Sequence, residues 1–200
     1  MSGWIEWKKV GVRVDSRLDE SFYEKVCMLS TVIIRPIDES DALGIYNVAI
    51  EAWDFTYSTI FDRPFIEDFV NRHYAPEATL SLFSRIRSGS MFFDVAESES
   101  KVVGFCNIGI HERSAQLYRI YLLPAFIGQG IGKRFLEVGE AFVAEQGIDA
   151  YFCFVHERNE IGKRFYLHSG FKHISEKDKE QEWFMEKRLS IDSVRSFSQQ

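Results

Sequence analysis

The chain has 200 residues, with 24 Lys+Arg against 30 Asp+Glu and a formal charge of −6, an acidic balance that argues against a nucleic-acid surface. Its apolar fraction of 46% and its 18 Phe supply one packed core and exclude a disordered chain. Cys27, Cys106 and Cys153 are too few for a disulfide framework, no Cys/His spacing suggests a metal site, and no apolar run reaches membrane-spanning length, so the expectations are no metal, no membrane and a reducing, cytoplasmic setting.

Residues 1–30 stand apart as an N-terminal extension. G-V-R-V-D reads as a short strand and L-D-E-S-F-Y-E-K-V as a turn or two of helix. One expectation is that translation starts at Met28 and that residues 1–27 are dispensable. A regular domain spans 31–189. T-V-I-I-R-P is its first strand, and Asp38 caps the next helix, which has an acidic first turn. Leu43, Ile45, Tyr46, Ala49, Ile50 and Trp53 recur at helical spacing. F-T-Y-S-T-I-F-D-R-P reads as a connecting loop. F-I-E-D-F-V-N-R-H-Y and A-P-E-A-T-L-S-L-F-S-R-I-R read as two further helices, split at Pro76.

M-F-F-D-V-A-E and V-V-G-F-C-N-I-G-I-H-E form a hairpin around S-E-S-K, and A-Q-L-Y-R-I-Y-L-L-P is a third strand, ended by Pro124. After G-Q-G-I-G a helix runs to about Gln146, with Phe135, Leu136, Phe142 and Val143 as its apolar stripe and Gly147 as its cap. D-A-Y-F-C-F-V has the composition of a central strand buried on both faces. R-N-E-I-G-K-R-F-Y-L-H-S-G is a short helix, F-K-H-I-S and E-W-F-M-E-K-R-L are closing strands, and 190–200 is a polar tail. The order gives a mixed α/β (α+β) class.

The pentapeptide I-G-K-R-F occurs at 131–135 and again at 161–165. In the first copy, G-Q-G-I-G-K fails the P-loop template, because the position five before Gly132 is Ile127 and Lys133 is followed by Arg134. It fails the dinucleotide fingerprint too, because Lys133 stands where the third Gly belongs. What remains is three glycines that let main-chain amides approach a ligand at a helix N-terminus, a natural seat for a pyrophosphate. A plain strand-to-helix turn with solvated basic residues fits as well. In the second copy Asn159 and Tyr166 lie two turns apart and share a helix face with Gly162, while Ile161 and Phe165 are expected to point to the core. An ordinary amphipathic helix also fits.

The run L-Y-R-I-Y-L-L-P-A-F-I-G-Q-G-I-G-K-R-F-L, followed by V-H-E-R-N-E-I-G-K-R-F-Y-L-H-S-G-F, resembles the GNAT superfamily of acyl-CoA-dependent N-acetyltransferases from Thr31 to Leu189. E-A-W-D-F-T-Y, Y-R-I-Y-L-L-P and V-H-E-R-N together look like the PaiA-type polyamine (spermidine/spermine) branch. Ile127 departs from the Arg or Gln that usually opens the family's pyrophosphate loop, and Gly162 stands where Ala is common. Gln116 replaces a frequent strand Glu. Phe154 replaces the basic Glu of some ribosomal N-terminal acetyltransferases, which argues against that subgroup's mechanism.

The resemblance implies a mixed, mostly antiparallel sheet of about seven strands flanked by helices, and direct transfer from acetyl-CoA to a primary amine of a small molecule, a polyamine among the candidates. Ile120, Tyr121 and Leu122 would run along the pantetheine, whose arm Asn159 would bind. Ile127, Gly128, Gln129, Gly130, Ile131, Gly132 and Lys133 would hold the pyrophosphate. Tyr166 would protonate the departing thiolate. Glu112, Glu157 and His156 are candidate bases. Glu51, Asp54, Asp62, Glu67 and Asp68 would line the acceptor cleft with Trp53 and Tyr57. A homodimer is the assembly considered. Protein or peptide N-acetylation and a non-catalytic acyl-CoA sensor are the competing readings.

Overall fold

A computed structural model describes residues 4–6, 13–15 and 32–189. They fall into two units that divide at Val32/Ile33. In the first, β1 (Trp4–Glu6) pairs antiparallel with β2 (Arg13–Asp15), within the expected G-V-R-V-D strand. The expected helical turn, the Met28 start and the polar tail at 190–200 lie outside the described residues.

The second unit opens with β3 (Ile33–Pro36). Asp38 then reverses the chain. Its carboxylate accepts from the Ser40 amide at 2.9 Å, while Asp41 accepts from the Asp38 amide at 2.7 Å. Arg35 ties this turn to the sheet through Asp41 and Glu97, at 2.7 and 2.6 Å. Helix α1 (Ala42–Tyr57) buries Ile45, Val48, Ala49, Ala52, Trp53 and Tyr57, a stripe at i, i+3 and i+4. It is longer than the sequence reading. Phe55, Thr56 and Tyr57 are helical, because Trp53 and Tyr57 pack together on α2 (Arg63–Tyr74). Arg63 and Pro64 belong to α2 as well, since Asp62 caps the Phe65 amide at 2.9 Å and proline suits a first turn.

The chain does split at Pro76, but the segment beyond it forms two short helices, α3 (Pro76–Leu80) and α4 (Phe83–Arg87). Between them Ser81 Oγ donates to the Ala78 carbonyl at 2.7 Å, a side-chain bond that competes with the helical ladder.

β4 (Met91–Ser98), β5 (Lys101–His111) and β6 (Ser114–Leu122) form a meander. Its first turn holds Glu99 and Ser100 at φ 50° and 61°, the left-handed pair a tight hairpin requires. Then come α5 (Ile131–Glu145), β7 (Ala150–His156), α6 (Glu160–His168), β8 (Lys172–His173) and β9 (Glu182–Arg188). The sheet order is β3-β4-β5-β6-β7-β9-β8, and β6–β7 is the parallel pair in an otherwise antiparallel ladder. This is the mixed, mostly antiparallel seven-stranded sheet that was expected.

The β6–β7 pairing consists of Ala115↔Tyr151 and Gln116↔Phe152. Beyond Gln116 the two strands part, and the edge of β6 from Leu117 to Leu122 is free of β7. That divergence changes the reading of β7. Tyr151, Cys153 and Val155 are buried, but Phe152, Phe154 and His156 on the other face are half-buried, so the strand is enclosed on one side and looks into a cleft on the other.

Candidate active site

The site grows out of the parted strands. After β6 the chain makes a short turn at Pro124–Phe126 and reaches Gly128 and Gly130, with φ 83° and 80°. Both lie in the left-handed region that favours glycine, and where a side chain would project there is open space to 4 Å. Gly130 caps α5 without any side-chain bond, so the first-turn amides of the helix stay available with their partial positive charge. Gln129 Nε2 donates to the Ala125 carbonyl at 2.8 Å and fastens the loop to itself. Ile127, the departure from the family loop, is 42% exposed and leaves the backbone approach intact.

Ile131 sends its side chain into the core, 2% exposed. At Gly132 a Cβ would stand 2.9 Å from the Phe165 ring. The two I-G-K-R-F copies therefore touch: the glycine of the first receives the phenylalanine of the second, and α5 and α6 meet there. They are two walls of one site.

These walls enclose a cavity of about 500 Å³ with β6 as its third side. Ile120, Tyr121, Leu122, Ile127, Gly128, Gly130, Gly132, Lys133, Asn159 and Tyr166 all line it. Gln129 and Ile131 do not, because one side chain folds back on the loop and the other is in the core.

On α6 Asn159, Gly162 and Tyr166 do share a face, but of the two residues expected at the core Phe165 packs against Gly132 and Ile161 does not turn inward. Tyr166 and Asn159 face the interior, 8% and 9% exposed, whereas Ile161 is 39% exposed at the rim of the cavity. The helix caps the end of the cleft, so its polar face is the one enclosed. Asn159 Oδ1 accepts from the Gly162 amide at 2.8 Å, and its Nδ2 donates to Tyr57 Oη at 3.1 Å. A Cβ at Gly162 would lie 2.8 Å from that Nδ2, so glycine rather than alanine lets the amide reach across. Burial holds the Tyr166 phenol well above its ordinary pKa, with the neighbouring Cys153 thiol adding to the rise. It is therefore a protonated donor at neutral pH.

A second cavity of about 540 Å³ lies on the α1–α2 side of the sheet. The two share four lining residues, Tyr57, Tyr118, Tyr121 and Phe154. Burial pushes the Tyr57 phenol up to about 12. Trp53 and Tyr57 line the second cavity as expected. Of the candidate bases His156 reaches it, while Glu112 sits in the β5–β6 turn and Glu157 on an exposed turn, and neither lines either cavity. His156 Nδ1 accepts from the Arg158 amide at 3.2 Å and its Nε2 lies 3.3 Å from Gln181 Oε1.

None of the five expected carboxylates lines this cavity. Asp62 caps α2, Glu67 and Asp68 pair with Arg63 and Arg72, and Glu51 and Asp54 face solvent. On an amphipathic helix the acidic residues belong to the wet face, and the cavity lies against the other one. The carboxylate that does line it is Glu182 on β9, which sequence reasoning missed. Missed as well were Phe61, Phe65, Phe69 and His73, although their spacing of four residues marks a single stripe.

Among the described residues no helix is long and apolar enough to cross a membrane, and no group of three or more His, Cys, Asp or Glu is placed to hold a metal ion.

The Acetyltransferase (GNAT) family model matches residues 45–171. The spermidine N(1)-acetyltransferase of Thermoplasma acidophilum is 32% identical over 143 residues, 71% of this chain and 89% of that protein. The crystal structure of the PaiA N-acetyltransferase from the same organism in complex with coenzyme A superimposes with a TM-score of 0.76 at 30% identity, covering 80% of this chain and 99% of that one. A GNAT-family acetyltransferase from Staphylococcus aureus, at 17% identity and TM-score 0.64 over 80% of this chain and all of its own, shares the fold.

Proposed function

The chain belongs to the GNAT acetyltransferase family, and on that premise we propose that it transfers the acetyl group of acetyl-CoA to a primary amine of a small molecule, with Tyr166 as general acid. The observation that carries this reading is the meeting of two cavities at Tyr57, Tyr118, Tyr121 and Phe154. One has a glycine loop and an open strand edge fit for coenzyme A. The other is aromatic, of a size for a small acceptor.

The fit to the co-substrate rests on this chain's own groups. Amides from Ile127 to Gly132 offer donors to a pyrophosphate, with open space beside Gly128 and Gly130. The edge of β6 at Ile120–Leu122, unpaired on the β7 side, offers main-chain groups to the pantetheine amides. Asn159 keeps one N–H after its bond to Tyr57 and contributes it at the same arm. Main-chain N–H groups near Leu122 stabilise negative charge developing on the thioester oxygen.

A primary amine, with a pKa near 10.4, arrives protonated and cannot attack. Glu182 attracts the ammonium, and with His156 it stands where the released proton goes. The amine nitrogen then bonds to the acetyl carbon and the carbon–sulfur bond breaks. Tyr166 gives its proton to the sulfur. Trp53, Tyr57 and Tyr121 exclude water and offer ring faces to a cation. Spermidine, the acceptor in the name of the Thermoplasma relative, is the reference acceptor.

The test is CoA release over polyamines, amino acids, aminoglycosides and peptides, together with Tyr166→Phe. The variant should lose about 10²–10⁴ in kcat, the usual range for a general acid, and keep its affinity for acetyl-CoA. Unchanged turnover would remove Tyr166 from the chemistry.

A further inference from the structure

The acceptor cavity is charged unevenly. Glu182 and His156 stand at the β7–β9 end, and Arg85 of α4, Arg119 of β6 and His111 of β5 at the other. Arg119 and Glu182 are two strands apart in the order β6-β7-β9, so roughly 10 Å at the usual spacing and more where β6 and β7 diverge.

Neither guanidinium has a carboxylate partner among the described residues, whereas Arg35, Arg63, Arg72 and Arg87 each do. Arg119 lies over the Tyr74 ring at 4.5 Å and donates to the His73 carbonyl at 3.1 Å. Arg85 Nη2 stands 3.3 Å from His111 Nε2, and Tyr118 Oη stands 2.6 Å from that same nitrogen. These contacts aim both cations without neutralising them, in a chain whose net charge is −6.

Two buried polar atoms on residues that line this cavity lack partners among the described residues: Trp53 Nε1, on a residue 6% exposed, and Asn107 Oδ1, on one 1% exposed. Asn107 is paired directly with Arg119 across β5 and β6, so their side chains share one face. An indole nitrogen only donates, so what Trp53 lacks is an acceptor oxygen. Leaving such groups unmatched is costly, and what the two lack is an acceptor oxygen and a donor hydrogen.

We propose that the acceptor is an amine that also carries an anionic group, a carboxylate or phosphate, held by Arg85 and Arg119 while the amine is presented at the Tyr57–Tyr121 junction. This rests on the acetyl-transfer reading above and narrows its acceptor. A guanidinium grips a carboxylate or phosphate through paired, charge-assisted bonds. Spermidine is cationic at each nitrogen at neutral pH, and it meets repulsion at this end of the cavity.

The experiment compares matched acceptors in the CoA-release assay: 4-aminobutyrate against 1,4-diaminobutane, phosphoethanolamine against ethanolamine, and spermidine as reference. At least one anionic member should exceed its partner by tenfold or more in kcat/KM, and the pair that does so identifies the anion. Arg119→Gln and, separately, Arg85→Gln should each cut that advantage by about tenfold, through KM rather than kcat. Gln keeps a polar side chain while removing the charge, and Arg85→Gln alters a helix surface if the strand variant folds poorly. Cationic or uncharged members matching or beating the anionic ones, or an advantage that survives both substitutions, would overturn the proposal and leave acetyl transfer standing. CoA release with no amine of the panel would instead defeat the acetyl-transfer reading itself.

Discussion

Gly132→Ala tests whether the contact between the two I-G-K-R-F segments sets the spacing of the site. The added methyl would lie 2.9 Å from one edge carbon of Phe165 and 3.1 Å from the next. Helix propensity favours alanine over glycine by about 1 kcal/mol. Overpacking of this kind costs about 1–3 kcal/mol, so the net change is a loss of about 1 kcal/mol, or roughly 2–4 °C in Tm for a domain of this size. Catalysis should suffer more than stability. Where Phe165 yields by shifting α6 rather than by turning its ring, the next residue on that helix, Tyr166, moves with it. The expected result is a fall in kcat of at least tenfold with a small fall in Tm. Adding Phe165→Leu should restore both, giving a coupling energy of about 0.5 kcal/mol or more between neighbouring sites. Calorimetry and CoA-release kinetics on the wild type, both single variants and the double variant close the cycle. Additive effects within error, or an alanine variant as stable and as fast as wild type, would refute the view that this contact positions the phenol.

Gly130→Ala meets no steric neighbour but must hold φ 80°, a strain of about 1–2 kcal/mol for an L-residue; acetyl-CoA affinity by titration calorimetry should weaken by about five- to thirtyfold, and an unchanged Kd would mean that this conformation is not needed for binding. Asp94, 6% exposed on β4, has its pKa raised to about 6 by burial. The folded value lies above the unfolded one, so its contribution is favourable below pH 4 and is lost as pH rises through 6. Asp94→Asn should therefore gain stability from pH 4 to pH 6 and level off above, by at most about 3 kcal/mol; a gain that is flat with pH in urea melts would show that the carboxyl is not the cause.

Much of this protein was legible in its sequence because the features were local. Strand and helix order follow from periodicity and from Gly and Pro punctuation. The loop at 127–132 and the pair Asn159 and Tyr166 sit on contiguous motifs, and all of the residues named for the coenzyme except Gln129 and Ile131 line one cavity. What the sequence left undecided depends on residues far apart along the chain. Which face of α6 is enclosed follows from α5 and β7 closing on it, so Ile161 lies at the rim although its hydropathy suggests a core. The cavity proposed for the acceptor joins α1, α2, α4, β4, β5, β6, β7 and β9, and Arg85, Arg119 and Glu182 carry no mark in their own segments that sets them apart from other charged residues. What brings them to one cavity is the divergence of β6 and β7. Two strands cease to pair after Gln116, and the space so opened, bounded by side chains distant in sequence, exists only once the sheet has formed.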